Sequence, residues 1–415
     1  MRQFFRVKTP LAADPHLLDS LDLTSPHLHA RYDLTPVWDL LRARDEIFWH
    51  PPRNRDTGFW IMTRYADVAA AYRDPVAFGS AQGNVLDVML DGGDSASGRM
   101  VSVSDGQYHA EVRRVLMRGF TPEALAGTAE RIERVVHDLV AAAVAAGQCD
   151  FARDVAAAIP LQAICDLLGV SEADRRFILE QTSSSVGSES PTATSADAWK
   201  AKNEILFYFA HLAETRRYAP AADVVTMLVE ADIRGRRLAD DEIIFNCYSL
   251  ILGGDETTRL AIVGAALAFA QHDDAWADLR SGRVDVDQAV EEVLRWTTPS
   301  MHQARVARED VDWRGQTIRE GDIVTLWNVA ANRDERVFDR PGEFRPARTP
   351  NRHLTFAAGT HYCLGAHLAR LEIAATLRAL RDQVARIELL APPSPVFSNF
   401  LGGYSSLPVR LHPHR

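Results

Sequence analysis

Cys363 sits near the end of a ten-residue run, Phe356-Ala-Ala-Gly-Thr-His-Tyr-Cys363-Leu-Gly365, whose residue types suit a metal-ligand loop. Gly359 can take backbone angles that a side chain would forbid, and Gly365 lets a bulky group lie close to the backbone. Phe356 can keep water from the sulfur while backbone N–H groups around Cys363 hold it as thiolate. Taken alone, a cysteine in a glycine-containing turn is better read as a buried structural residue. A second unusual run, Gly253-Gly254-Asp255-Glu256-Thr257-Thr258, interrupts a helical pattern. Each glycine there costs about 1 kcal/mol against alanine, and threonine can bond back to the preceding turn and bend the helix. In isolation a kink explains that run as well as chemistry does. Beside a metal centre it would offer open space, a hydroxyl on Thr257 and an acid on Glu256. Glu292 and Arg295 stand at i and i+3, a spacing at which exposed ion pairs contribute roughly a few tenths of a kcal/mol. His109 and Arg113, at i and i+4, lie one above the other on a helix face.

The pattern Phe-x-x-Gly-x-x-x-Cys-x-Gly resembles the haem loop of the cytochrome P-450 family, the haem-thiolate monooxygenases with soluble bacterial members. The resemblance implies that Cys363 ligates the iron of haem b (iron protoporphyrin IX), where a thiolate pushes electron density onto the metal and favours O–O cleavage. Residues 253–258 are similar to the family's oxygen-activation motif, Ala/Gly-Gly-x-Asp/Glu-Thr-Thr. That similarity implies that Gly253 and Gly254 leave room for dioxygen, that Thr257 hydrogen-bonds at the oxygen site, and that Glu256 relays protons from solvent. Asp255 stands where many bacterial members have histidine. Glu292-Val-Leu-Arg295 matches the family's Glu-x-x-Arg helix, implying a buried structural pair that locks the cysteine loop. The family usually adds a third basic residue from a Pro-x-Arg-Phe-like segment. Here that segment is Pro341-Gly-Glu-Phe344, with Glu343 in the arginine's place, and Arg345 or Arg348 is left to substitute.

His109, Arg113, Arg305 and His361 fit the family's positions around the haem propionates, and the planar fork of arginine suits a carboxylate. Phe356 and Gly365 complete the cofactor contacts. Ala357 occupies a site that is usually glycine, which is tolerable unless that residue needs positive φ. Leu326-Trp-Asn-Val-Ala-Ala-Asn-Arg-Asp334 also looks like a family segment. The resemblance runs from Phe59 to the Leu407-Pro-Val strand. It implies a fold that is mainly α with a small β region (α+β), a triangular prism holding haem between the long helix and the Cys363 loop. Residues 1–415 are expected to form a single domain.

The elements that must position these groups are legible in part. Phe59-Trp-Ile-Met-Thr reads as a strand and Tyr65 to Arg73 as a helix ended by Asp74-Pro75. Residues 79–104 read as a loop with an apolar inner side, and Tyr108 to about Val170 as helical throughout. The Ser/Thr-rich stretch 182–198 reads as a polar lid. Asp240 opens a long helix to about Gln271 with acids in its first turn, as the helix dipole prefers. Val284 to Trp296 is helical and stopped by Thr298-Pro299. Strand-like pieces follow at 311–318 and 323–326, and Leu364 to Arg386 is helical again.

Composition narrows the function. With 415 residues, 47% hydrophobic and 25% charged, the chain has the makeup of an ordinary globular protein. A formal charge of −10 argues against nucleic acid as a partner. Four cysteines in so long a chain make no disulfide framework. The N-terminus lacks an apolar signal segment, and the longest apolar run, 260–270, is too short to span a bilayer. A cytoplasmic monomer without membrane attachment is expected.

The reading is a monooxygenase taking electrons from separate proteins, a ferredoxin and its reductase. Arg113, Arg114, Arg118 and Arg370 would form the dock. The alternative keeps the haem but not dioxygen, as a peroxide-driven hydroxylase or an isomerase, for which Glu256 and Thr257 would be superfluous. Substrate contacts are expected from Val85, Leu86, Met89, Leu250, Gly253, Met301, His302, Asn399 and Phe400. Polar groups among them (His302, Gln303, Asn399) favour a moderately polar small molecule of bacterial secondary metabolism, free or bound to a carrier protein.

Overall fold

The computed structural model describes residues 8–11, 14, 18, 20–53, 55–186 and 195–414. Ten helices frame the site. The first, α1 (Tyr65–Arg73), has the bounds its sequence pattern gives. Next comes α2 (Leu86–Leu90), which with a 3-10 turn at Val101–Val103 replaces the expected loop over 79–104. Its apolar residues recur three apart, and Leu86 and Met89 are buried. Then follow α3 (Gly106–Met117) and α4 (Pro122–Ala146). The latter opens with Thr121 accepting the Ala124 N–H and Pro122 in its first turn, and it ends at Gly147 with φ 76°. After α5 (Ala158–Leu168) come α6 (Arg175–Val186) and α7 (Ser195–Tyr218). The expected lid is thus helical over 182–186 and 195–198, and its centre, 187–194, lies outside the described residues. The long helix α8 (Asp240–Gln271) runs unbroken through 32 residues. It packs on α5, α7, α9 (Val286–Thr297) and α10 (Ala366–Gln383), and α10 begins just after Cys363.

Strands β1 (Phe48–His50), β2 (Phe59–Met62) and β3 (Phe78–Gly79) belong to a five-stranded sheet. Beyond them in sequence lie β4 (Gln148–Asp150), β5 (Gln303–Ala307), the hairpin β6 (Val311–Trp313) and β7 (Gln316–Ile318), β8 (Ile323–Leu326), β9 (Val384–Leu389) and β10 (Pro408–Pro413). The larger sheet has the order β1-β2-β8-β5-β3, with β2 and β8 parallel. It brings Arg305 of β5 beside Val324 of β8. A three-stranded sheet, β9-β10-β4, corrects two helical expectations. Residues 148–150 leave the helical stretch to pair with 408–410, and the last helix ends at Gln383, where Val384 starts pairing with β10. In both places a distant partner overrides local propensity.

Candidate active site

The cysteine loop is held by its own backbone. The Cys363 N–H donates to the Phe356 carbonyl at 2.9 Å, Tyr362 N–H to Gly359 at 3.1 Å and Ala357 N–H to Leu354 at 2.9 Å. Gly359 has φ 70°, and a Cβ there would lie 2.3 Å from the Tyr72 carbonyl oxygen, so glycine is required twice over. Ala357 has φ 58°, so the loop keeps its shape with a Cβ at a left-handed residue. Cys363 is exposed, whereas Cys165 and Cys247 are buried and Cys149 is half-buried. Its thiol is pushed up by the protein packed around it, while the Gly365 N–H, Arg113 and Arg370 act in the thiolate's favour. Arg370 lies over the Phe356 ring at 4.7 Å, and Arg113 donates to the Tyr362 carbonyl at 2.6 Å.

Behind the loop, Glu292 and Arg295 are fully buried. They form a fork-to-fork pair, both N–H···O distances being 2.8 Å. Arg348 supplies the third partner, its Nε donating to Glu292 Oε2 at 2.9 Å. Arg345 contributes its backbone N–H at 2.8 Å and turns its side chain to Asp339. Asn351 adds a bond to Glu292 at 3.0 Å. Arg295 also donates to the carbonyls of Asn332, Pro341 and Glu343. Asn332 in turn accepts the Leu354 N–H at 2.7 Å, which ties this hub to the start of the cysteine loop.

The four basic residues converge as well. The rings of His109 and His361 have centroids 4.1 Å apart, His109 stands on α3 with Arg113, and buried Arg305 lies over the Tyr72 ring at 5.4 Å. Sequence reasoning missed a carboxylate that holds one of them, Asp105. Its Oδ1 is 3.3 Å from His361 Nε2, its Oδ2 accepts the Ser80 and Ala81 N–H groups at 2.8 Å each, and Arg308 pairs with it. Burial opposes its charge, but these bonds together hold the carboxyl well below the usual range. The available signal was its place just before α3, four residues ahead of His109.

On α8, the Thr257 hydroxyl donates to the Gly253 carbonyl at 3.1 Å. Glu256 is buried in a two-point pair with Arg259, its Nε–Oε2 distance 3.0 Å. The two glycines differ. A Cβ on Gly253 would meet nothing within 4 Å, but one on Gly254 would lie 2.9 Å from Ile164. Gly254 therefore serves close packing of α8 on α5.

The residues present fit a flat iron cofactor bearing two carboxylates. His109 Nε2 is buried with no partner among the described residues. Open space lies where Gly365 and Gly253 would carry a Cβ, and the accessible sulfur of Cys363 stands beside Gly365. The family model for cytochrome P-450 matches residues 284–380, which include the Glu292 hub and the cysteine loop. Cytochrome P-450 NovI of Streptomyces niveus is 45% identical over 98% of this chain and 100% of its own length. This chain is a cytochrome P-450. Steroid C26-monooxygenase of Mycobacterium tuberculosis is 33% identical over 96% of this chain and 94% of its own. Among solved structures, the cytochrome OxyD, described as involved in the biosynthesis of vancomycin-type antibiotics, superposes with a TM-score of 0.87 at 35% identity. That match covers 95% of this chain and 100% of OxyD. The protein is accordingly a haem-thiolate monooxygenase, and among its described residues no helix is long and apolar enough to cross a membrane.

Three expected substrate contacts in this P-450 belong to its core. Leu86 is fully buried in a cluster with Phe59 and Trp327. His302 is fully buried against Trp327, ring centroids 4.4 Å apart. Burial pushes it down to about 3, so its ring is neutral. Asn399 spends its amide on Asp87 at 3.0 Å and the Thr24 carbonyl at 2.9 Å. Val85 and Phe400 are half-buried, Met89, Leu250 and Met301 are nearly covered, and Gly253 is open. The polar group left in this region is Gln303, half-buried and bonded to Ser300 Oγ at 2.8 Å. Arg370, bound by Glu291 at 2.6 Å and lying over the Phe356 ring, also braces the loop.

Proposed function

We propose that this P-450 hydroxylates or epoxidises a moderately polar small molecule of bacterial secondary metabolism, free or borne on a carrier protein. The observation that carries the reading is the pairing of Thr257, on the open Gly253 side of α8, with buried Glu256 beside it. A dioxygen-using enzyme needs a hydroxyl and an acid there, whereas a peroxide-driven hydroxylase or an isomerase does not. Full-length similarity to NovI and to OxyD, the latter described as serving antibiotic biosynthesis, supports the metabolic assignment.

Bound haem b supplies dioxygen binding and the electron-rich iron that favours O–O cleavage. Cys363 would hold it from one side, with His109, Arg113, Arg305 and His361 at its carboxylates. Thr257 would offer its hydroxyl, now bonded to the Gly253 carbonyl, and Glu256 would pass protons inward when its pair with Arg259 opens. Val85, Leu250, Met301 and Phe400 would exclude water and hold the apolar part of the substrate, and Gln303 with Ser300 would meet a polar group. Electrons come from a ferredoxin and its reductase, and the protein works as a cytoplasmic monomer.

Spectral titration tests the substrate class. Amide- or amino-acid-like ligands, bare or carrier-loaded, should produce the spin-state change of substrate binding. Tight binding of long-chain fatty acids with no response to any polar scaffold would contradict it.

A further inference from the structure

Helix α7 buries one face and carries aromatic side chains on the other. Ala201, Ile205, Phe209 and Ala213 recur every four residues and are buried. Away from them stand Trp199, Phe207 and Tyr218, which are 70%, 72% and 82% exposed. They are the three most exposed large apolar side chains among the described residues, and such a concentration on one helix marks a contact surface. A row at spacings of three and four runs along this face: Lys200, Asn203, Phe207, His211, Glu214 and Tyr218. The row is symmetric about Phe207. Asn203 and His211 lie four residues to either side of it, and Lys200 and Glu214 lie seven. Lys200 is exposed and has no partner among the described residues. Glu214 accepts from Arg217 of its own helix through Oε2, at 2.7 Å, which leaves Oε1 open to a second donor.

We propose that α7 pairs antiparallel with α7 of a second copy of this chain, about a two-fold axis at Phe207. A face with opposite charges at equal distances from its centre is complementary to itself when turned end for end. Lys200 of each copy then faces Glu214 of the other, so the ion pair forms twice. Asn203 comes opposite His211, and the two Phe207 rings meet at the axis and leave water together. On the flank, Arg217 of one copy lies beside Trp199 of the other, where cation and indole ring attract. One helix offers less than the roughly 800 Å² per partner that stable complexes bury, so the association is weak and the dilute chain acts singly. Cys363, Thr257 and the residues at the cofactor's carboxylates lie on other elements, so each copy keeps a whole site.

Sedimentation velocity on the full-length holoenzyme, run as a concentration series, reads the pairing. The mean mass should climb from that of one chain toward that of two. Lys200→Glu and Glu214→Lys should each weaken association by about tenfold, because the axis repeats every lost pair, and the double variant should regain it. Phe207→Cys should form an interchain disulfide under mild oxidation. His211→Cys should not, since its symmetry mate lies about 12 Å further along the helix. Each variant should keep the haem spectrum of wild type, which shows that it is folded. A mass of one chain at every concentration would overturn the proposal, as would association that neither charge variant weakens, or a disulfide from His211→Cys in place of Phe207→Cys. Phosphatidylcholine vesicles that hold the wild type but release Phe207→Glu would overturn it in favour of a membrane surface.

Discussion

Ala357 holds a Cβ at φ 58° inside the cysteine loop, a conformation that costs an L-residue roughly 1–2 kcal/mol, less what glycine loses in chain entropy. Ala357→Gly should therefore raise stability by up to about 1 kcal/mol in chemical denaturation and leave the haem spectrum unchanged. His302 has both ring nitrogens buried without partners among the described residues. His302→Leu should cost no more than about 1 kcal/mol, since the lost stacking is offset by removal of unpaired polar groups. It should also leave substrate-induced spectral changes intact, and loss of those changes would return His302 to the substrate site. Thr257→Ala should still take up haem but release hydrogen peroxide in place of oxygenated product; unchanged coupling would make Thr257 a helix residue only. At this scale the sequence was readable in the Glu292–Arg295 pair, whose spacing and family match announced the buried hub that the structure shows. It was silent where a rotation of about 100° per residue decides which of two adjacent glycines faces the cavity. The choice of Arg348 over Arg345 and the role of Asp105 likewise depend on contacts between segments far apart in the chain.

The α9 helix carries two acids that hold the cysteine loop. Glu292 receives donors from Arg295, Arg348, Asn351 and the Arg345 backbone. Glu292→Gln leaves buried guanidinium groups short of a countercharge and should destabilise the protein by about 3 kcal/mol. Its neighbour Glu291 bonds His353 and Arg370. Burial works against its charge, yet those bonds prevail and pull its carboxyl down to about 2. A folded value below the unfolded value of 4.5 means that this stabilisation is complete above that pH and lost as pH falls toward 2. Glu291→Gln should flatten the acid limb of the stability curve over that interval, and an unchanged limb would mean the pair contributes nothing. Elements were legible when local pattern and burial agreed, as in α1, α8 and β8. They were lost in β4 and β9, where strands form only because β10 arrives from the far end of the chain.

Over the whole molecule, a formal charge of −10 surrounds a local concentration of cations on the cysteine side. Arg114 and Arg118 are exposed there, with Met117 and Tyr362 also partly exposed. An acidic ferredoxin docked at that face should reduce the enzyme more slowly as salt rises, and Arg114→Glu with Arg118→Glu should slow reduction further at low salt. Equal rates for the variant and wild type would place the dock elsewhere. All of this depends on one bond, from the Cys363 sulfur to haem iron. The ferrous–CO complex of the purified protein should show the red-shifted Soret band of thiolate ligation, and Cys363→Ser should abolish it. A variant that keeps that band would contradict the account at its centre.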